Sequence, residues 1–520
     1  MAFDAPGVYI RYVTDGPLTV RAASTSTAVF IGPTIVGRSI SASNPAVITP
    51  SFVSSSTEYA EQFTSPGCRS GLVCLPGNSG SFTDHMGHAL RGFFMNGGQR
   101  AYIVSTSTGV QARATLAVQL TLPGATSADY TFSALSDGAW GNDISVEATA
   151  SPIGASGGYL DLKIELQLKG DSGDPIKVIE RFIGLKGDEV AAINSGLVRV
   201  TGPGANASNP LKLKIDAAPA NPPASATKSL TGGADSLSSQ TTDFEAILQT
   251  LRDIDDISIV VLPGSVWPDH QSVYSLALKH CKDKLDRLTL IQLDDSTTDF
   301  ANISVPLDKF AAVYYPSARV TLPTSGGGQR NMTGIGTTGH IAGVYARTDG
   351  ESGPWTAPAG GRASIAGVTE LSRDISQAAQ ERMNPNCVNA LRYIDGVPVV
   401  WGARTRDKGG IYEYVPVMRT AFLIADSLRA ALNRVVFAKN TEVLWDNVKA
   451  GTSGFMDGLF LQGAFQGATP AQAYRVAVGL NQSMTQDDIR KGILRVNLAF
   501  APAFPAEFIE VVIEQIFEPG

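Results

Sequence analysis

The side chains able to do chemistry are few and scattered. The closest histidine pair lies in Asp84-His85-x-x-His88, at the start of an expected helix. Histidines three apart can share a metal ion, with Asp84 as a third ligand. No HExxH and no paired CxxC accompanies them, so the plainer reading is a polar helix start. Leu262-Pro263-Gly264 and Asp294-Asp295 each follow an apolar run, at strand ends where α/β folds hold ligands. A carboxylate pair there suits magnesium. The phosphate cradle that would accompany it is missing, because neither GxxxxGK[ST] nor a strand-linked GxGxxG occurs. There is no GxSxG, and His270, His280 and His340 stand apart. Cys281 and Cys387 have no motif around them and read as buried thiols. The residues alone predict no catalysis, no cofactor and no metal.

Composition points the same way. The chain has 520 residues, of which 43% are hydrophobic, enough for several buried cores. Charged residues make up only 17%, against a usual ~25%, and 53 glycines and 29 prolines add many turns. That combination predicts a surface that faces other protein more than water. The net charge of −7 comes with no Lys/Arg cluster, which argues against nucleic acid as a partner. No apolar run reaches the ~18 residues of a membrane span. The opening Met1-Ala2-Phe3-Asp4-Ala5-Pro6-Gly7 has no apolar leader, so no signal peptide is expected. Cys68, Cys74, Cys281 and Cys387 are sparse and predict free thiols in a reducing compartment.

The elements that position these residues fall into blocks. Val8, Ile10 and Tyr12 alternate on a first strand. A buried strand is expected at Ala28-Val29-Phe30-Ile31, helices at 53–63 and 84–95, and a strand at Ala101-Tyr102-Ile103-Val104. Asn96-Gly97-Gly98 suits a left-handed helix cap. From about 115 to 235 short alternating strands predict an inserted all-β module, ending in a Pro/Ala-rich linker. After residue 243, a helix, an apolar strand at 257–262, a second helix and a strand at 288–293 form a strand–helix–strand unit, which predicts a parallel sheet. A further strand is expected at 310–315, a Gly/Thr loop at 324–339, and helices at 365–383 and 420–436. On the last, Arg419, Asp426, Arg429 and Asn433 are expected on a polar arc. Ile509, Val511, Ile513 and Phe517 line one face of a closing strand.

These blocks also carry a resemblance. Pro6-Gly7-Val8-Tyr9-Ile10, Phe93-Phe94-Met95-Asn96-Gly97-Gly98, Gly138-Ala139-Trp140-Gly141-Asn142 and Tyr314-Tyr315-Pro316 occur in order. They are followed by Ala342-Gly343-Val344-Tyr345-Ala346-Arg347, Trp355-Thr356-Ala357-Pro358-Ala359, Val400-Trp401-Gly402-Ala403-Arg404-Thr405 and Ala501-Pro502-Ala503-Phe504-Pro505. Together they resemble the contractile tail sheath proteins of myophages and phage-tail-like bacteriocins. The resemblance implies an α/β and α+β multidomain fold: a subtilisin-like, non-catalytic α/β core at 26–114 and 236–360, and a β-sandwich-like insertion at 115–235. It also implies a C-terminal α/β sheath domain at 361–505 and extended strand arms at 1–25 and 506–520. The implied function is a structural virion subunit, assembled in the host cytoplasm. Such subunits stack as hexameric rings around a tail tube and contract to drive the tube through a cell envelope. The implied partners are further copies of the chain, the tube protein, and baseplate and tail terminator proteins, with no membrane insertion. Val8, Ile10, Tyr12, Ile509, Val511 and Ile513 are the expected inter-subunit arm residues, and Arg419 and Arg429 the candidate tube contacts. The rival readings are an α/β hydrolase or phosphotransferase with a β insertion, and another virion component such as a tube or baseplate protein.

Overall fold

The computed structural model describes residues 18–34, 48–63, 84–106, 113–121, 128–135, 139–151, 159–169, 175–186, 189–201, 211–214, 225–232, 241–323 and 329–507. The chain divides into two compact units. The larger holds Thr25–Ser352 and Ala357–Val415; the smaller holds the residues up to Ser24, Gly353–Thr356 and everything from Pro416.

The larger unit is built on an eight-stranded sheet. Its spatial order is Val397–Val400, Val388–Ile394, Ala311–Tyr315, Leu288–Gln292, Ile259–Val261, Ala28–Gly32, Ala101–Ser105 and Ser51–Val53. The six inner strands are parallel, with Ala28 opposite both Ile259 and Ala101. The two edge strands run antiparallel. Strands such as AVFIG, LTLIQ and AAVYY are buried at every position. Parallel strands covered on both faces need such continuous apolar runs.

The His85–Met95 and Thr338–Ser352 helices touch at backbone distance. A Cβ on Gly339 would lie 2.4 Å from the Ala89 carbonyl oxygen, and one on Gly343 would lie 2.4 Å from that of Phe93. Asn96 closes the first helix. Its Nδ2 donates to the Gly92 and Ala366 carbonyls at 2.8 and 2.9 Å, and its Oδ1 accepts from the Ala366 N–H at 2.8 Å. Gly97 follows at φ 109, a region that disfavours any side chain.

Within the same unit, residues 113–232 form two four-stranded sheets. One orders Leu211–Lys214, Thr115–Thr121, Ala128–Ala134 and Val198–Thr201; the other orders Ser225–Ser229, Ile144–Ala150, Leu160–Lys169 and Pro175–Leu185. Inward residues of both, among them Val118, Phe132, Val146 and Ile164, join one core with Trp140. Gly141 lets the Trp140 turn close, since a Cβ there would meet the Ala114 Cβ at 2.7 Å.

The smaller unit pairs the helices Val415–Leu432 and Glu442–Leu461 with a two-stranded antiparallel sheet, Tyr474–Ala477 and Asn497–Phe500. Tyr474, Val476, Leu498 and Phe500 pack on Leu423, Ile424, Met456 and Leu459.

Three expectations shift. The 365–383 helix shrinks to Gln377–Met383, because Asn96 ties down Ala366 and Gly367 sits at φ 84. The 324–339 loop holds the strand Gln329–Ile335 and the start of the Thr338–Ser352 helix. The boundary placed at 361 moves to about 416, because Val388–Ile394 extends the parallel sheet of the larger unit.

Candidate functional site

Several of the residues that could do chemistry have structural roles. Asp84 caps the His85–Met95 helix, accepting from the Gly87 N–H at 2.8 Å and the Tyr59 hydroxyl at 2.9 Å. Burial raises its carboxyl to about 6. His85 is lowered by burial and by His270, and its ring packs against the backbone turn at Gly264. Asp294 and Asp295 diverge. Asp294 accepts from the Ser296 N–H at 2.8 Å, and Asp295 accepts from the Ser317 N–H at 2.8 Å and its hydroxyl. They form no shared cation site. His280 Nε2 lies 3.1 Å from the Arg287 guanidinium, and burial followed by Arg287 pushes the imidazole down to about 3. The Cys281 thiol is buried and pushed up to about 12, which makes it unreactive. Among the described residues no group of three or more His, Cys, Asp or Glu converges in metal-binding geometry.

The carboxyl end of the parallel sheet is filled by side chains. Thr34 and Ser105 hydroxyls meet at 2.6 Å beyond the central strands. A Cβ on Gly32 would stand 3.1 Å from the Pro263 carbonyl oxygen, so the two backbones pass closely there. Trp267 is buried, with its indole N–H donating to Ser304 Oγ at 2.9 Å. Gln292 Oε1 accepts from the Thr337 N–H at 2.8 Å and its hydroxyl at 3.1 Å. The described residues at this end of the sheet, where an α/β fold ordinarily admits a ligand, are thus hydrogen-bonded and packed against one another.

The smaller unit offers a different kind of site. Its two-stranded sheet has one apolar face covered by helices, and among the described residues neither outer edge pairs with another strand. A ribbon of two strands is marginal alone, and its edges present unpaired N–H and C=O groups. Leu18 packs beside Trp445 and Val448 in this unit. Gly451 permits that contact, because a Cβ there would lie 2.2 Å from the Leu18 carbonyl oxygen. Farther on, the Ala23 N–H donates to Ser427 Oγ at 2.9 Å. The arm residues Val8, Ile10, Tyr12, Ile509, Val511 and Ile513 lie outside the described residues.

The polar arc expected on the 420–436 helix is rotated. Arg419 is only 2% exposed, whereas Ala425 faces solvent. Thr420 and Ser427 are buried instead, their hydroxyls donating to the Pro416 and Leu423 carbonyls at 2.7 and 2.6 Å. Bonding to the carbonyl four residues back satisfies a hydroxyl in an apolar setting, a signal that apolar counting overlooks. Arg429 stays on the surface, paired with Asp426 at 2.7 Å.

No known family profile and no curated protein sequence matches the chain. Solved structures do. The helical sheath of the anti-feeding prophage in its contracted state is 20% identical, with a TM-score of 0.57, covering 99% of this chain and 100% of that one. The contracted sheath complex of an extracellular contractile injection system, PVC, is 19% identical with a TM-score of 0.59, covering 99% and 98%. The sheath tail protein from Desulfitobacterium hafniense is 13% identical with a TM-score of 0.57, covering 92% and 94%. The chain has the fold of contractile-injection-system sheath proteins over nearly its whole length.

Proposed function

We propose that this chain is the structural subunit of a contractile sheath. It polymerises as stacked hexameric rings around a tube, and contraction of the lattice drives the tube through a target envelope. The observation that carries this reading is the fold likeness to sheath proteins across 99% of the chain. The energy for contraction is held in the extended lattice and needs no hydrolysis.

Joining of subunits falls to the smaller unit. The N-terminal arm, through Val8, Ile10 and Tyr12, and the C-terminal arm, through Ile509, Val511 and Ile513, add strands to the open edges of a neighbour's Tyr474–Ala477/Asn497–Phe500 sheet. Each added main-chain hydrogen bond contributes about 0.5–1.5 kcal/mol, and alternating apolar side chains set register. Arms of this kind keep neighbours tethered while the compact units move as rigid bodies. The tube contact rests on Arg429, since Arg419 is buried. An exposed pair of this kind gives about 0–1 kcal/mol, weak enough to slide. The 115–235 insertion is peripheral to this lattice. Baseplate and terminator proteins cap the two ends of the polymer in the virion tail or a related injection machine.

Negative-stain imaging of the purified chain tests the reading. Rings or tubes are expected from the full chain, and folded monomers from chains lacking residues 1–20 or everything after Ala506. A full-length chain that stays monomeric at high concentration refutes the sheath assignment. Tubes formed by both truncated chains refute the arm exchange alone.

A further inference from the structure

The turn that ends the His85–Met95 helix carries a reactive pair. Asn96-Gly97 is the one Asn-Gly step in the 520 residues. Where glycine follows asparagine, no side chain shields the glycine nitrogen, and it can attack the asparagine amide. The Gly97 N–Cγ bond forms as the Asn96 Cγ–Nδ2 bond breaks, and Nδ2 leaves as ammonia with the proton given up by the Gly97 nitrogen. Water then opens the five-membered imide at either carbonyl, giving aspartate or isoaspartate. Nothing is oxidised or reduced, and water is the only co-reactant.

The folded chain blocks each part of that step. Asn96 has no exposed surface, which keeps water away. Its Nδ2, the leaving group, is held by the Gly92 and Ala366 carbonyls at 2.8 and 2.9 Å, and its Oδ1 by the Ala366 N–H at 2.8 Å. The Gly97 N–H, the nucleophile, donates to the Phe94 carbonyl at 3.4 Å, and the next N–H, of Gly98, to the Phe93 carbonyl at 2.9 Å. Attack requires this turn to open, and the Thr338–Ser352 helix lies against it. A Cβ on Gly97 would stand 2.7 Å from the Arg347 Cβ, and one on Gly343 would stand 2.7 Å from the Asn96 Cβ.

The products do not fit the same place. In aspartate an oxygen replaces Nδ2 and faces two carbonyl oxygens, with at most one proton to share between them. Buried acceptors without a donor are strongly destabilising. In isoaspartate the main chain runs through Cγ and lengthens by one carbon between helices that already touch. We infer that Asn96-Gly97 is a deamidation site of the unfolded chain: folding protects the amide, and its loss during unfolding removes the chain from the pool that can refold. Chemical change of an unfolded state is one way in which unfolding becomes irreversible. The inference stands on this helix crossing and does not depend on the polymer reading.

Peptide mapping of the full chain tests it. The chain is aged in mildly alkaline buffer with and without urea, and asparagine, aspartate and isoaspartate at position 96 are quantified over time. Conversion should be roughly a hundredfold slower in the native chain, because the reaction waits on local opening. The urea-aged chain is then diluted, and a short protease treatment removes molecules that failed to refold. The resistant molecules should carry Asn96 almost alone. Asn96→Asp, expressed directly, should be insoluble or melt well below wild type. Equal conversion in native and urea-unfolded chain overturns the inference, as do refolded molecules that carry the acid in the proportion of the aged mixture. An Asn96→Asp chain that melts with wild type also overturns it, and decides the matter where aged chain does not refold at all.

Discussion

A close backbone-to-backbone helix crossing in the larger unit sets up a test with opposite signs at two glycines. At Gly339 an added Cβ would lie 2.4 Å from the Ala89 carbonyl oxygen and 2.6 Å from its Cα. Both are backbone atoms and cannot rotate aside. Restoring ordinary contact requires the His85–Met95 and Thr338–Ser352 helices to separate by roughly 1 Å, enough to disturb packing that is tuned to single methyl groups. Overpacking of this kind costs ~1–3 kcal/mol, and obstruction by backbone puts Gly339→Ala near the top of that range. Alanine returns about 1 kcal/mol of helix propensity. The expected balance is a loss of about 2 kcal/mol. At Gly454, in the Glu442–Leu461 helix, nothing lies within 4 Å of an added Cβ. There the propensity term stands alone, and Gly454→Ala should gain about 0.5–1 kcal/mol. Urea midpoints of the unassembled chain measure both, each on the transition of its own unit. A Gly339→Ala chain as stable as wild type refutes the claim that contact at this crossing demands glycine.

Other outcomes follow from buried charge and from the proposed contacts. Asp84 holds its proton to about pH 6 in the folded chain against an ordinary value near 3.8. Its contribution is therefore fully present below pH 3.8 and lost as pH rises through 6, at most about 3 kcal/mol. Asp84→Asn should flatten that slope between pH 4 and 7 in urea titrations; an unchanged slope rules the carboxyl out as its source. Arg287 is buried against Asp286 at 2.7 Å and donates to the Leu251 and Ile254 carbonyls at 3.1 and 2.9 Å. Arg287→Met should cost more than Asp286→Leu/Arg287→Met, because the single variant removes the 2.7 Å partner of the buried Asp286 carboxylate and leaves the Lys284 contact at 3.6 Å, whereas the double variant removes both buried charges. Equal losses in the two chains contradict that account. Arg429→Glu should weaken co-sedimentation with tube protein and spare self-assembly; unaltered tube binding removes Arg429 from that contact.

The parallel sheet was legible because its strands are buried on both faces. Runs such as Ile257-Ser258-Ile259-Val260-Val261-Leu262 leave little choice of element. The β insertion was legible for the opposite reason, since alternation in Leu160-Asp161-Leu162-Lys163-Ile164 marks one wet face. Elements set by tertiary contact were not. The Thr338–Ser352 helix begins Thr-Gly-His-Ile-Ala-Gly, which reads locally as a loop, yet those glycines are what the crossing with His85–Met95 requires. The order Ala342-Gly343-Val344-Tyr345 carried a resemblance before its physical reason was visible. That reason is the crossing at Gly343, where a Cβ would lie 2.4 Å from the Phe93 carbonyl oxygen, together with the Tyr345 hydroxyl 2.5 Å from that of Tyr314.

Assembly surfaces leave a different trace from active sites. A catalytic centre concentrates unusual residue types at fixed spacings. A docking surface is made of ordinary residues in unusual exposure, and exposure is not written in the sequence. Arg419 and Phe437 show both directions of that failure. The arginine, taken from its arc as a surface cation, is buried beside hydroxyls satisfied by their own helix. The phenylalanine, which composition would assign to a core, stands in solvent on a left-handed backbone. What separates them is the hydrogen-bonded scaffold under each, the i−4 carbonyls for the helix and the Asn440–Trp445 bond for the loop.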